Sequence, residues 1–328
     1  DVEFCRQRHH AQFSDVAAAA VRARADSGKP VVVVSNISGG IEPSIRKILD
    51  DGGVPALQGS TEGVGAVAAW LDWNSPLPEE TEAPLPLPTD LLAELDTCGG
   101  IVPYALSTRV LAHFGITALC ERLTQTPGEA KAAAEAIGYP VALKGISPDI
   151  THKTETGLVK LNIADAGALR QAWDELERSM NLHHPDARRE GMLIQSMVTG
   201  DVVETIAGVN RDPAFGSAVV VGLGGIFVDL LRDVSLELSP LSPARAKAMI
   251  NRLQAAKLLQ GFRGKQPADI AALEETLVRL GRMAHALGER LVSLDLNPLM
   301  VLPEGQGVRI VDIVMQARPS GDSPKHLP

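Results

Sequence analysis

The chain has 328 residues, 45% of them apolar, and its 31 Lys+Arg against 40 Asp+Glu leave a net charge of −9. Such apolar content fills real cores and excludes wholesale disorder, while an acidic chain without a basic block lacks the face that nucleic-acid binding requires. The longest apolar runs, KPVVVV and GSAVVVGLGGIFVDLL, are broken by glycine or charge well short of the roughly 18 residues of a membrane span.

Residues 14–28, SDVAAAAVRARADSG, have helix-forming composition, a cap at Ser14 or Asp15 and a stop at Gly28. KPVVVVSNISGG reads as a short strand into a glycine turn, IEPSIRKILDDGG as a helix, VPALQ as a strand and TEGVGAVAAWLDW as a helix. This α-β-α-β-α rhythm belongs to a parallel, doubly wound sheet. Two strands are too few for such a sheet, so residues 1–73 are expected to be the end of a larger domain. The chain opens at Asp1 rather than methionine and without a basic and apolar leader, as expected of a processed or partial product with no secretory signal. The odd set of three distant cysteines, Cys5, Cys98 and Cys120, fits buried thiols in a reducing cytoplasm.

Residues 74–90 carry five prolines and four acids, the composition of a stiff linker. We place the proline-rich connector over 74–97 and a second domain over 98–328. There, YALSTRVLAHFGI and TPGEAKAAAEAIG read as helices, YPVALK and LVKLNI as strands, and DAGALRQAWDELERSM as a helix started by Asp165 or Ala166. GMLIQSMV, VVETIAGVN and SAVVVGLGG follow as strands. SPARAKAMINRLQAAKLL and ADIAALEETLVRLGRMAHALG are helices, and LVSLDLNPLMVL, PEGQG and VRIVDIVMQ close the chain as a hairpin. This order is α+β in character.

If the final turn centres near Glu304-Gly305, Asn297 and Asp312 lie opposite each other, with Cβ atoms roughly 5 Å apart on one face. An amide oxygen beside a carboxylate suits Mg²⁺ held together with substrate phosphates. A hydrogen-bonded Asn–Asp pair at a sheet edge is the plainer alternative. Lys144, at the expected end of its strand, is placed to hold a phosphate, or simply to extend into solvent. Glu204 alternates with apolar residues on a strand, where an acid needs a partner such as a ribose hydroxyl or an arginine. His152 sits in a loop beside Lys153. Neutral imidazole is a nucleophile toward phosphorus and neighbouring cations stabilise the product; a solvent-facing loop histidine is the commoner case. Gly63-x-Gly65-x-x-Ala68 lacks the second strand and acid of a dinucleotide site. Gly222-x-Gly224-Gly225 reads as a turn of close approach. No GxxxxGK[ST] is present, so any ATP site is not of the Walker type.

Taken together, GYPVALKGISPDITHKTETG, LIQSMV, VVETIAGVNRDPAFG, VVVGLGGIFVDLLRDVSLELSPLS, GFRG and LDLNPL…VDIV resemble, in order over residues 98–317, the ATP-grasp half of NDP-forming acyl-CoA synthetases, relatives of succinyl-CoA synthetase. Segment 14–73 is similar to the end of the flavodoxin-like ligase domain that precedes ATP-grasp in single-chain members. The resemblance implies an α/β chain: part of a flavodoxin-like parallel sheet, then an ATP-grasp fold of two α+β subdomains.

The family's chemistry joins a carboxylic acid to CoA through an acyl-phosphate and a phosphohistidine, and exchanges the phosphoryl group with ADP. By position, Lys144 would contact nucleotide phosphates, and Asn297 with Asp312 would hold Mg²⁺. Gln195, Ser196 and the backbone to Val198 would face adenine, Glu204 the ribose, and His152 would carry the phosphoryl group. CoA and the acid would bind through domains upstream of Asp1, without which the chain is expected to be inactive.

The chain departs from the family at four places. Ser196 stands where glutamate is usual, Leu158 replaces a glycine, Ile313-Val314 replaces Ala-Arg, and Glu237 stands where a basic residue is common. A degenerate nucleotide-binding module and an ATP-grasp carboxylate–amine ligase therefore stay as alternatives. The incomplete sheet at 29–60 leads us to expect that the fragment associates, as in a homo-oligomer, or is partly disordered there.

Overall fold

A computed structural model of the chain describes residues 2–35, 40–74, 85–150, 153, 156–225, 233–261, 264 and 266–319, without the side chains of 2–10 and 72–74. It divides into two compact units, Asp1–Leu77 and Pro78–Pro328.

The first unit contains α1 (Val2–Ser27), β1 (Val33–Ser35), α2 (Pro43–Asp51), β2 (Ala56–Gln58) and α3 (Ser60–Asn74). β1 and β2 pair in parallel, with Val33 beside Ala56, as the alternating rhythm requires. Ala17, Leu49 and Val54 form its small core. The expected start of the first helix at Ser14 or Asp15 is corrected. No proline or glycine interrupts VEFCRQRHHAQF, so the helix runs through both residues from Val2. Its stop is where expected: Gly28 takes φ 64° and its N–H donates to the Arg24 carbonyl at 3.1 Å.

The second unit runs α4 (Thr89–Asp96), β3 (Gly100–Ile101), α5 (Tyr104–His113), β4 (Glu121–Thr124), α6 (Pro127–Ile137), β5 (Val141–Ile146), β6 (Val159–Ile163), α7 (Ala166–His183), β7 (Gly191–Ser196), β8 (Val203–Asp212), β9 (Gly216–Leu223), β10 (Val234–Leu238), α8 (Pro243–Arg252), α9 (Ile270–Leu287), β11 (Leu291–Val301), β12 (Val308–Ile310) and β13 (Ile313–Ala317). Two antiparallel sheets result. The smaller has the order β4-β7-β5-β6; the larger runs β10-β9-β8-β11-β13-β3, with β12 also on β11. Thr126, Asp165, Ser242 and Asp269 each accept a backbone N–H at a helix start.

Period-two alternation explains the larger sheet. Ala207, Val209, Val219, Val221, Leu294 and Leu296 are buried in one cluster with Met249, Leu277, Leu280 and Met283 of α8 and α9, and Leu299 joins them after a register shift in β11. The alternate residues Glu204, Asp295 and Asn297 are exposed. In the smaller sheet Val141, Leu143 and Ile194 pack on Ala130 and Ala134 of α6 and on Leu169, Trp173 and Leu176 of α7.

Three further expectations are corrected. The connector placed over 74–97 is too long: Leu87, Leu91 and Leu95 are buried in the main core and 89–96 are helical, because the leucines recur at helical spacing. The helix expected over 242–259 ends at Arg252, where the Asp233 carboxylate takes the Gln254 and Ala255 N–H groups at 2.9 and 2.8 Å; a short 3-10 turn, Ala256–Leu258, follows. Cys120 is exposed and Cys98 half-buried, and both are free thiols, so neither is fully buried as expected. Among the described residues no helix is long and apolar enough to cross a membrane.

Candidate functional site

Lys144 and Gln195 of the smaller sheet both reach the closing hairpin at Val311, beside Asp312. The hairpin pairs Val301 with Val308, Leu299 with Ile310 and Leu296 with Ile313. Leu302 N–H donates to the Gly307 carbonyl at 3.0 Å, so the turn centres on Glu304-Gly305. The Asn297 N–H donates to the Asp312 carbonyl at 3.3 Å, which sets the two residues opposite each other. This contact is main-chain, so it does not occupy the carboxylate. Instead, Lys153 Nζ donates to Asp312 Oδ1 and Oδ2 at 2.9 and 3.0 Å, and Ile313 N–H to Oδ1 at 3.0 Å. Lys153 is 5% exposed and Asp312 24%; the carboxylate keeps an open side.

Lys144 reaches the same segment from the other sheet. It does not end its strand: β5 continues through Gly145 and Ile146, and its side chain is 3% exposed. Its Nζ donates to the Val311 carbonyl at 2.6 Å, so the alternative of a solvent-extended lysine is corrected. Burial pushes its ammonium below the usual lysine range; Asp312 opposes that shift, Lys153 reinforces it and Glu121 opposes it.

Gln195 Nε2 donates to the same Val311 carbonyl at 3.2 Å and to Glu121 Oε2 at 2.7 Å. Tyr104 Oη donates to Glu121 Oε1 at 2.7 Å, and the Tyr104 N–H to Glu190 Oε2 at 2.7 Å. Burial raises the Glu121 carboxyl above its ordinary value, against the two hydrogen bonds and Lys144, with Asp312 adding to the rise. Burial and the adjacent Glu121 also push the Tyr104 phenol up, so it stays a proton donor.

The remaining expected residues lie around this centre. Gln195 is 1% exposed and is engaged within the framework rather than turned to a ligand. Ser196 and Val198 are half-buried at the end of β7, where the Ser196 N–H donates to the Cys120 carbonyl at 3.0 Å. Glu204 is exposed on β8 opposite Met300, so the desolvation cost expected of it does not arise. The Gly224 N–H donates to the Glu204 carbonyl at 2.8 Å, and a Cβ at Gly224 would stand 3.1 Å from Glu204. That is the close approach expected of the glycine turn. His152 lies outside the described residues.

Two departures from the family pattern have local explanations. Leu158 is fully buried with Ile150 and Met180, and Glu237 pairs with Arg252 at 2.9 Å.

Sequence reasoning passed over Tyr104, Glu121 and Glu190. CERLTQ is too short and too charged to show periodicity, and its partners are far away in the chain. Among the described residues no three His, Cys, Asp or Glu gather as a closed metal cluster. The arrangement instead offers one carboxylate and one amide at an open edge, backed by two buried ammonium groups. It is suited to an anion brought in together with a divalent cation.

Comparison with known proteins gives the following. Residues 101–316 match the family model described as ATP-grasp domain. The chain is 39% identical over 204 residues to the acetate–CoA ligase [ADP-forming] II subunit beta of Pyrococcus furiosus, covering 62% of this chain and 86% of that one. It is 30% identical over 294 residues to trans-feruloyl-CoA synthase FCS1 of an unknown prokaryotic organism, covering 88% of this chain; it therefore spans only 40% of that longer relative. Among solved structures, the dinucleotide-forming acetyl-coenzyme A synthetase 1 of Ca. Korarchaeum cryptofilum, in complex with coenzyme A, Ca-AMPCP and HgCl+, aligns at TM-score 0.65 and 37% identity over 70% of this chain and 98% of that one. Another structure of that enzyme, with coenzyme A and Mg-AMPPCP, aligns at TM-score 0.59 and 35% identity, over 70% of this chain and 99% of that one.

Proposed function

This chain belongs to the ATP-grasp family and is a homologue of ADP-forming acetate–CoA ligase beta subunits, and from that premise we propose that it is the nucleotide-handling part of an NDP-forming acyl-CoA synthetase. The observation that carries the proposal is the meeting of Lys144 and Asp312 at one segment between the two sheets.

In this reading Lys144 grips the nucleotide phosphates, the backbone from Ser196 to Val198 borders the adenine and Glu204 takes the ribose hydroxyls. Mg²⁺ fits the site on two grounds. The ligands are hard oxygens, and a buried ammonium already stands on the Asp312 carboxylate as a cation. Asp312 and Asn297 would hold the ion, which supplies charge neutralisation for the phosphates. His152 accepts the phosphoryl group: an imidazole nitrogen forms the P–N bond as the bond to the ADP oxygen breaks, and the reverse step returns it. Tyr104, Glu121 and Gln195 keep the Val311 carbonyl, and with it Asp312, in place.

CoA and the carboxylic acid are assigned to parts of the enzyme that this chain does not contain, so we expect no thioester synthesis from the chain alone. We assign contact with those parts, or with a second copy, to the open two-stranded sheet of the first unit, in a cytoplasmic setting.

Calorimetry with Mg²⁺ and a non-hydrolysable ATP analogue tests the site. Asn297→Ala combined with Asp312→Ala, or Lys144→Met alone, should abolish binding, and unaltered affinity would remove the assignment. His152→Ala should bind nucleotide normally yet fail to acquire an acid-labile phosphate from labelled ATP. The departures at Ser196 and Leu158 favour a second reading, a nucleotide-sensing module. Assembly with the remaining domains, ATP, a panel of acids and CoA separates the two, because a sensor binds ATP without CoA-dependent ADP release.

A further inference from the structure

Lys153 satisfies the carboxylate that the reading above gives to a metal. Its ammonium bridges both Asp312 oxygens, and at 5% exposure it is not an ordinary surface partner. Its backbone is pinned: the Lys153 carbonyl accepts the Leu158 N–H at 2.9 Å and the Thr156 hydroxyl at 3.0 Å, and Leu158 is fully buried. Any displacement of the ammonium must therefore come from rotation within the four-carbon stem. With Lys153 in place, Asp312 presents no net negative charge to an arriving cation. Lys144 adds a second positive charge close by, on the carbonyl of Val311, the residue next to Asp312. A free dication meets little attraction there; one bound to a polyphosphate brings the anion that both lysines can face.

We propose that Lys153 is a resident counter-ion of Asp312, displaced when a divalent cation arrives with its anionic nucleotide, and that it makes the site select the metal–nucleotide complex over the free metal. This rests on Asp312 being a metal ligand. In the bound state the ammonium leaves the carboxylate for the phosphates, so metal and nucleotide tighten each other's binding.

The test is Mn²⁺ titration of the intact chain by electron paramagnetic resonance, with and without a non-hydrolysable ATP analogue. Lys153→Met keeps the length of the stem, and Lys153→Gln keeps a neutral hydrogen-bond donor. Without nucleotide, both should bind Mn²⁺ about tenfold or more tighter than the parent chain, as loss of a unit positive charge a few ångströms away requires. The factor by which nucleotide tightens Mn²⁺ should shrink in both. Mn²⁺ should also raise their melting temperatures more than it raises the parent's.

Unchanged or weaker Mn²⁺ binding by both variants, while Asp312→Asn still removes Mn²⁺–nucleotide binding, overturns the counter-ion role and leaves the metal site standing. If Asp312→Asn leaves Mn²⁺–nucleotide binding intact, the metal assignment falls, and the proposal with it.

Discussion

The carbonyl of Val311 accepts from Lys144 and from Gln195, and so two side chains of the smaller sheet hold one peptide of the hairpin. Behind Gln195 stand Glu121 and Tyr104, a chain of buried and half-buried polar groups in which each member satisfies the next. Tyr104→Phe deletes one hydrogen bond to a half-buried carboxylate and should cost about 1.5–3 kcal/mol in urea unfolding at neutral pH. Because burial raises the Glu121 pKa in the folded state, the fold binds more protons there than the unfolded chain. Its contribution to stability is therefore largest below the usual glutamate range and declines as pH rises from that range through the raised value. The phenol favours the charged carboxylate, so Tyr104→Phe should move that decline to higher pH. Identical stability profiles for the two proteins would show that the hydrogen bond does not operate.

At the scale of elements, the hairpin that carries Asn297 and Asp312 is tied to α9 at its far end. Asp269 is buried. It accepts the Ala272 N–H at 3.1 Å as a cap and the Gly307 N–H of the hairpin turn at 2.8 Å. Its own N–H donates to the Leu302 carbonyl at 2.7 Å. One carboxylate thus starts a helix and closes a turn. Asp269→Ala should cost about 2–4 kcal/mol, more than the ~1 kcal/mol of an isolated cap, because a second charged hydrogen bond is lost with it. Asp165→Ala, at the start of α7, removes a cap alone and serves as the comparison. Equal losses for the two in denaturant unfolding would mean that the hairpin turn does not depend on Asp269.

At the scale of the molecule, the two units differ in how well they fill their cores. Among its described residues the second unit has an extensive main core and two further clusters. The first unit has, among its described residues, three buried apolar side chains, a two-stranded sheet, and exposed Phe13, Val16, Val64, Trp70 and Leu71. Such a sheet is marginal alone, and exposed apolar surface of this kind calls for a cover. A fragment of residues 85–319 should therefore unfold cooperatively and bind Mg²⁺ with nucleotide as tightly as the whole chain. A fragment of residues 1–77 should not give a cooperative melt. A well-folded short fragment, or a long one that has lost nucleotide affinity, contradicts this division.

Sequence alone determined the helices and strands whose periodicity is strong, the start of α7 at Asp165, and the opposition of Asn297 and Asp312. Each of these follows from residues near one another in the chain, through a fixed repeat or a single turn. The ordered motifs from GYPVALK to VDIV identified the family for the same reason, since they are local patterns kept in one order. Only the tertiary structure decided that Lys144 is buried against Val311, that Lys153 occupies Asp312 and that Tyr104, Glu121 and Gln195 form one network. Those partners lie far apart in the chain, and no local pattern records which side chains two packed sheets bring together. It likewise decided where α8 ends, because Asp233 reaches that helix from a neighbouring strand edge rather than from its own sequence.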